Sequence, residues 1–79
     1  MKFKVYILEN PKGEYYKGHT ANLDARLERH NSGSVKSTRG KGPWKCVYTE
    51  SFAKKGEAMI REKQIKKWRR ELLDKLISG

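Results

Sequence analysis

Phe3-Lys4-Val5-Tyr6-Ile7-Leu8, then Asn10-Pro11-Lys12-Gly13, then Glu14-Tyr15-Tyr16-Lys17-Gly18-His19 is the stretch on which the fold turns. Residues 3 to 8 and 14 to 19 read as two strands, and the Pro and Gly between them suit a tight hairpin turn. The strands are then antiparallel neighbours, and the register expected from the turn sends the phenols of Tyr6 and Tyr16 toward one region. Cross-strand packing with the hydroxyls at the rim and a chemical role are both open for this pair. Tyr15 faces the other side, where ordinary packing accounts for it. Gly18 permits close approach of a ligand to the backbone.

Downstream, Asn22 can cap a helix whose Leu23 and Leu27 share a face, and Asn31-Ser32-Gly33 supplies the stop. Residues 32 to 43 are rich in Gly and Ser and carry Lys36, Arg39 and Lys41, so they read as a basic surface loop rather than a regular element. From Trp44 to Phe52 bulky and polar residues alternate, with Trp44, Cys46 and Tyr48 on one side of a third strand. Residues 54 to 77 turn helical. Ala58, Ile65, Trp68, Leu72 and Leu76 form one stripe, and a break near Trp68 to Glu71 divides the segment into two helices. The order β-β-α-β-α-(α) predicts an α/β fold: a three-stranded sheet flanked by helices. At 79 residues the chain is expected to be a single domain, residues 1–79.

Nineteen Lys and Arg against nine Asp and Glu leave a formal charge of +10, a field that attracts polyanions. Val5-Tyr6-Ile7-Leu8 is too short for a signal-peptide core or a membrane span, so nucleic acid is the expected partner and a membrane is not. Cys46 is the single cysteine, which excludes an internal disulfide and a Cys-rich zinc site. It fits a reducing compartment, with the cytoplasm as the default location.

Three features stand out chemically. Glu62 falls in the stripe of Ala58 and Ile65, where a carboxylate is costly unless it is paired with a cation or bound to a hard metal ion; spacing leaves both open. Arg26 and His30, four residues apart, share a helix face and could approach one phosphate together, or form part of a solvated basic face. The third is the Tyr6 and Tyr16 pair.

Taken together, Lys4-Val5-Tyr6, Tyr16-Lys17-Gly18 ten residues on, Arg26, His30 and Glu62 resemble the GIY-YIG nuclease domain family, over almost the whole chain. The chain is most similar to its small stand-alone bacterial members, and Lys4, Val5 and Lys17 depart from the family's two triplets. The resemblance implies a GIY-YIG-like α/β sandwich with a three-stranded antiparallel sheet. It implies an endonuclease, a phosphodiester hydrolase acting on DNA in repair or recombination. Tyr6, Tyr16, Arg26, His30 and His19 would form the catalytic set. Glu62 would hold one Mg²⁺ or Mn²⁺, and Lys17, Lys36, Arg39 and Lys41 would hold nucleic-acid phosphates. A targeting protein could supply specificity. The rival expectation is a non-catalytic nucleic-acid-binding module that keeps the fold.

Overall fold

The computed structural model describes residues 2–79. Strands β1 (Phe3–Glu9), β2 (Tyr15–Thr20) and β3 (Lys45–Phe52) form one antiparallel sheet in the order β2-β1-β3. Helix α1 (Leu23–Asn31) follows β2, and helices α2 (Lys55–Lys66) and α3 (Arg70–Ser78) follow β3. The expected three-stranded sheet flanked by helices is the fold.

The β1–β2 turn closes as its residues suggest. Gly13 takes φ +80°, and the Asn10 carbonyl accepts from Gly13 N at 2.9 Å while its side-chain oxygen accepts from Glu14 N at 2.8 Å. This pairs Tyr6 with Gly18 and Leu8 with Tyr16. Because side chains alternate along a strand, Tyr6, Leu8, Tyr16 and Gly18 share one face and Val5, Ile7, Tyr15, Lys17 and His19 the other. Central β1 buries all four of Val5, Tyr6, Ile7 and Leu8, because both faces of the sheet are covered.

On one face, Tyr6, Leu8 and Trp44 pack with Tyr16, Leu23, Leu27 and Cys46 under α1. On the other, Val5 and Ile7 pack with Ala58, Ile65 and Leu73 of α2 and α3. Tyr15 belongs to this second layer, where its hydroxyl donates to Asp74 at 2.6 Å and its ring lies under the Arg70 guanidinium. Asn22 caps α1 by accepting from Ala25 N at 3.1 Å, and Gly33 (φ +82°) turns the chain at its end.

Three expectations change. Ile7 pairs with Tyr48 but Leu8 with Cys46, so Val47 is an extra residue in β3. That bulge breaks the alternation and moves Tyr48, with Val47, to the α2 side, away from Trp44 and Cys46. Leu72 does not continue the buried stripe: the chain breaks between Lys66 and Arg70, the helical phase restarts, and Leu73 is buried while Leu72 is 48% exposed. The 32–43 loop contains one 3₁₀ turn, Lys36–Thr38, pinned where the Trp44 indole donates to the Thr38 carbonyl at 3.2 Å.

Gly18 is needed for a reason other than ligand access. A Cβ there would lie 2.5 Å from Tyr6 Oη and 2.7 Å from its Cζ, so the space is filled by the chain's own tyrosine. Gly18→Ala is expected to destabilise the fold by about 1–3 kcal/mol, the usual cost of overpacking. Urea unfolding should show this as a lower midpoint at unchanged slope; an unmoved midpoint would mean that the Tyr6 ring does not occupy this space.

Candidate active site

The hairpin register that sets Tyr6 over Gly18 also aims its hydroxyl at α1. Tyr6 Oη lies 3.1 Å from His30 Nε2, and His30 Nδ1 lies 2.8 Å from Thr38 Oγ1. All three residues are buried, at 2%, 2% and 1% exposure. Tyr16 packs alongside, its ring centroid 4.7 Å from that of His30 and 6.5 Å from that of Tyr6. His30 therefore does not share a solvated face with Arg26. The last turn of α1 tilts it inward, and both ring nitrogens are engaged.

Burial pushes the Tyr6 phenol well above the ordinary tyrosine range, with Tyr16, Glu62 and Cys46 adding to the shift while Arg26 opposes it. Burial also holds the His30 imidazole below its usual value, aided by the positive charges of Arg26 and Arg29. The resting pair is thus a neutral phenol and a neutral imidazole. Arg26, half-buried one turn before His30, enters no ion pair among the described residues, so its guanidinium is free to bind an anion.

On the other face of β2, α2 places Glu62 between the buried Ala58 and Ile65 with 15% of its side chain exposed. His19 Nδ1 donates to Glu62 Oε1 at 2.6 Å and Lys66 Nζ to Oε2 at 2.9 Å. Burial alone would raise this carboxyl, but the hydrogen bonds from Lys66 and His19 outweigh it and hold the group below the usual carboxylate range. Lys17, on the same face, is pushed down by burial and by the charge of Lys66. Glu62 is thus paired with Lys66 and His19, the ion-pair alternative that its spacing left open.

Edge strand β2 therefore has Tyr6, Tyr16, Arg26 and His30 on its α1 side and Lys17, His19, Glu62 and Lys66 on its α2 side. Charge links the halves, since Glu62 acts on Tyr6, and Tyr16 acts on Lys66. Lys36, Arg39 and Lys41 are exposed on the loop after α1, with Arg39 Nε donating to the Gly33 carbonyl at 2.9 Å. Two clefts of about 410 and 420 Å³ flank the Gly40–Lys45 stretch; neither is lined by Arg26, His19 or Glu62, and His30 borders the second.

Two participants were not foreseen from the sequence. Lys66 stands four residues after Glu62, a spacing that alone marks it as a partner. Thr38 sits in the irregular loop, where no periodicity points to His30.

A single carboxylate beside an imidazole does not cage a cation, and among the described residues no cluster of three His, Cys, Asp or Glu side chains is present. The donor set does fit a hard ion such as Mg²⁺, which keeps several waters and completes its shell with substrate phosphate oxygens. Glu62 is the residue that would hold it, in exchange for part of its bonding to Lys66 and His19.

The sequence profile of the GIY-YIG catalytic domain matches residues 2–76, and the chain belongs to that family, which carries a nuclease-type function. It is similar to the UPF0213 protein BH0048 of Halalkalibacterium halodurans, 42% identical over 79 residues that span 99% of this chain and 84% of that protein. The UPF0213 protein CPE1444 of Clostridium perfringens is 48% identical over 76 residues, 95% of this chain and 82% of that one. The solution NMR structure of BH0048 superposes with a TM-score of 0.64, covering 99% of this chain and 84% of the other. Among the described residues no helix is long and apolar enough to cross a membrane.

His30 ties the site to pH. Its neutral form is favoured in the folded state, so the unfolded chain binds more protons at pH values between the folded value and about 6.5. Its contribution is complete above about pH 6.5 and is lost as the pH falls through the lower folded value. Chemical denaturation should show wild-type stability declining as the pH falls below about 6.5 more steeply than that of His30→Gln. Parallel profiles would remove His30 as the cause.

Proposed function

We propose that this chain is a metal-dependent endonuclease that hydrolyses phosphodiester bonds in nucleic acid, with DNA as the substrate. The observation that carries the reading is the convergence at β2: a buried Tyr6 bonded to a neutral His30, an Arg26 with no ion pair among the described residues, and Glu62 brought in by α2. The charge of +10 supplies a field that concentrates a polyanion on this surface.

Arg26 binds the phosphate through its planar guanidinium and stabilises the charge that grows on its oxygens. The phenol of Tyr6 is not a standing base, because burial keeps its proton in place. Its own proton has an acceptor in His30 Nε2, so a water against Tyr6 can give up a proton as Tyr6 passes one to His30. The new P–O bond then forms from that water while the bond to the leaving oxygen breaks, and the leaving oxygen takes a proton from solvent. Tyr16 borders this group at the rim. Mg²⁺ or Mn²⁺ on Glu62 would supply Lewis-acid polarisation of the phosphate and leaving oxygens. Lys17 and His19 line the α2 side, while Lys36, Arg39 and Lys41 add contacts to backbone phosphates, which position a substrate without reading its bases. Sequence selectivity would then come from a targeting protein or from the shape of the nucleic acid.

One observation favours a second reading, a binding module without turnover: Glu62 is already held by Lys66 and His19, which compete with a metal ion for its oxygens. Labelled single-stranded, duplex and branched DNA, and RNA, incubated with Mg²⁺, Mn²⁺ or EDTA, separate the two. The nuclease reading expects products only with metal. Arg26→Ala should lower cleavage by roughly 10²–10³-fold in a folded protein, the usual cost of removing a donor to the transition-state charge, and Glu62→Gln should abolish the metal response. Undiminished cleavage by folded Arg26→Ala overturns the assigned role. Salt-sensitive binding with no products on every substrate establishes the binder.

A further inference from the structure

Thr38 is invisible to the motif that defines the site, yet it is 1% exposed and lies in a 3₁₀ turn whose side chain meets His30. Its role follows from counting protons. Tyr6 Oη has one hydrogen-bond partner among the described residues, His30 Nε2. His30 Nδ1 has one, Thr38 Oγ1, and Thr38 Oγ1 also reaches the Val35 carbonyl at 3.3 Å. A neutral imidazole carries one N–H, and a hydroxyl carries one O–H.

Were the proton on Nε2, it would point at Tyr6 Oη, Thr38 would donate to Nδ1, and the Tyr6 proton would have no acceptor among the described residues and would be left to solvent at a residue only 2% exposed. With the proton on Nδ1 every donor is used. Tyr6 O–H donates to Nε2, Nδ1–H donates to Thr38 Oγ1, and Thr38 O–H donates to the Val35 carbonyl. Buried donors without acceptors are rare because each forfeits its hydration without replacement.

We propose that Thr38 is a positioning residue that locks His30 in its Nδ1–H tautomer, leaving Nε2 as the fixed acceptor for the Tyr6 hydroxyl. Because Val35 takes the hydroxyl proton, Thr38 presents only a lone pair to the ring. Thr38 thereby sets the proton inventory of the site from behind the His30 ring, without itself touching substrate. The lock itself is a statement about the folded chain; its consequence for turnover rests on the nuclease reading above.

The test is long-range ¹H–¹⁵N NMR of the histidine rings at neutral pH, on the wild type, Thr38→Val and Thr38→Ser. The wild type should show His30 with a protonated, pyrrole-type Nδ1 and a bare, pyridine-type Nε2. Thr38→Val, which keeps the shape but removes the acceptor, should shift His30 toward the Nε2–H form or a mixture, and Thr38→Ser should restore the wild-type pattern. A wild-type His30 already protonated on Nε2, or an unchanged tautomer in Thr38→Val, overturns the proposal. On a substrate that is cleaved, Thr38→Val should lower kcat at least tenfold with KM little changed, and Thr38→Ser should recover it; unchanged kcat in Thr38→Val overturns the link to turnover. If no substrate is cleaved while the tautomers behave as expected, the nuclease reading fails and the lock stands.

Discussion

The hydrogen bond between Tyr6 and His30 is the constraint around which the rest is arranged. It joins the central strand to α1 across the sheet's first face, and it exists only because residue 18 has no side chain to stand in the way of the Tyr6 ring. The hairpin turn at Asn10 to Gly13 sets Tyr6 opposite Gly18. The capped start of α1 at Asn22 then fixes the helix phase that turns His30 inward and leaves Arg26 one turn earlier nearer the surface. A shift of one residue in the strand register would send Tyr6 to the α2 side and dismantle the arrangement.

Electrostatics divides the site into a dry half and a charged half. Tyr6, His30 and Thr38 are buried and neutral, held together by hydrogen bonds that burial makes costly to lose. Glu62, His19, Lys66 and Lys17 lie across β2, where the carboxylate stays ionised because two donors outweigh its desolvation. With β2 at the edge of the sheet, both halves can reach the same surface, whereas a central strand would have walled them apart. An extended polyanion is the ligand that such an open, positively charged edge fits.

Much of this was legible in the residues because it follows from local rules. The hairpin, the Asn22 cap, the break before α3 and the opposed faces of Tyr15 and Tyr16 come from turn chemistry and period alone. Glu62 announced itself as a carboxylate among apolar neighbours, although spacing could not choose between an ion pair and a metal ligand. What could not be read depends on contacts distant in the chain. The Val47 bulge arises from the pairing of β3 with β1, and the exchange of Leu72 for Leu73 follows from where the helix restarts. The burial of His30 needed a partner from a loop that carries no periodicity, and Thr38 had no signal at all.

On the proposed function, nucleic acid meets this protein at the β2 edge between Arg26 and Glu62. A backbone amide NMR titration with a short DNA duplex in the presence of Mg²⁺ tests it without requiring turnover. Shifts are expected to concentrate at Tyr16 to Thr20, around Arg26, and at Glu62 to Lys66. Shifts confined to α3 or to the clefts beside Gly40 to Lys45, with the β2 edge unmoved, would contradict it.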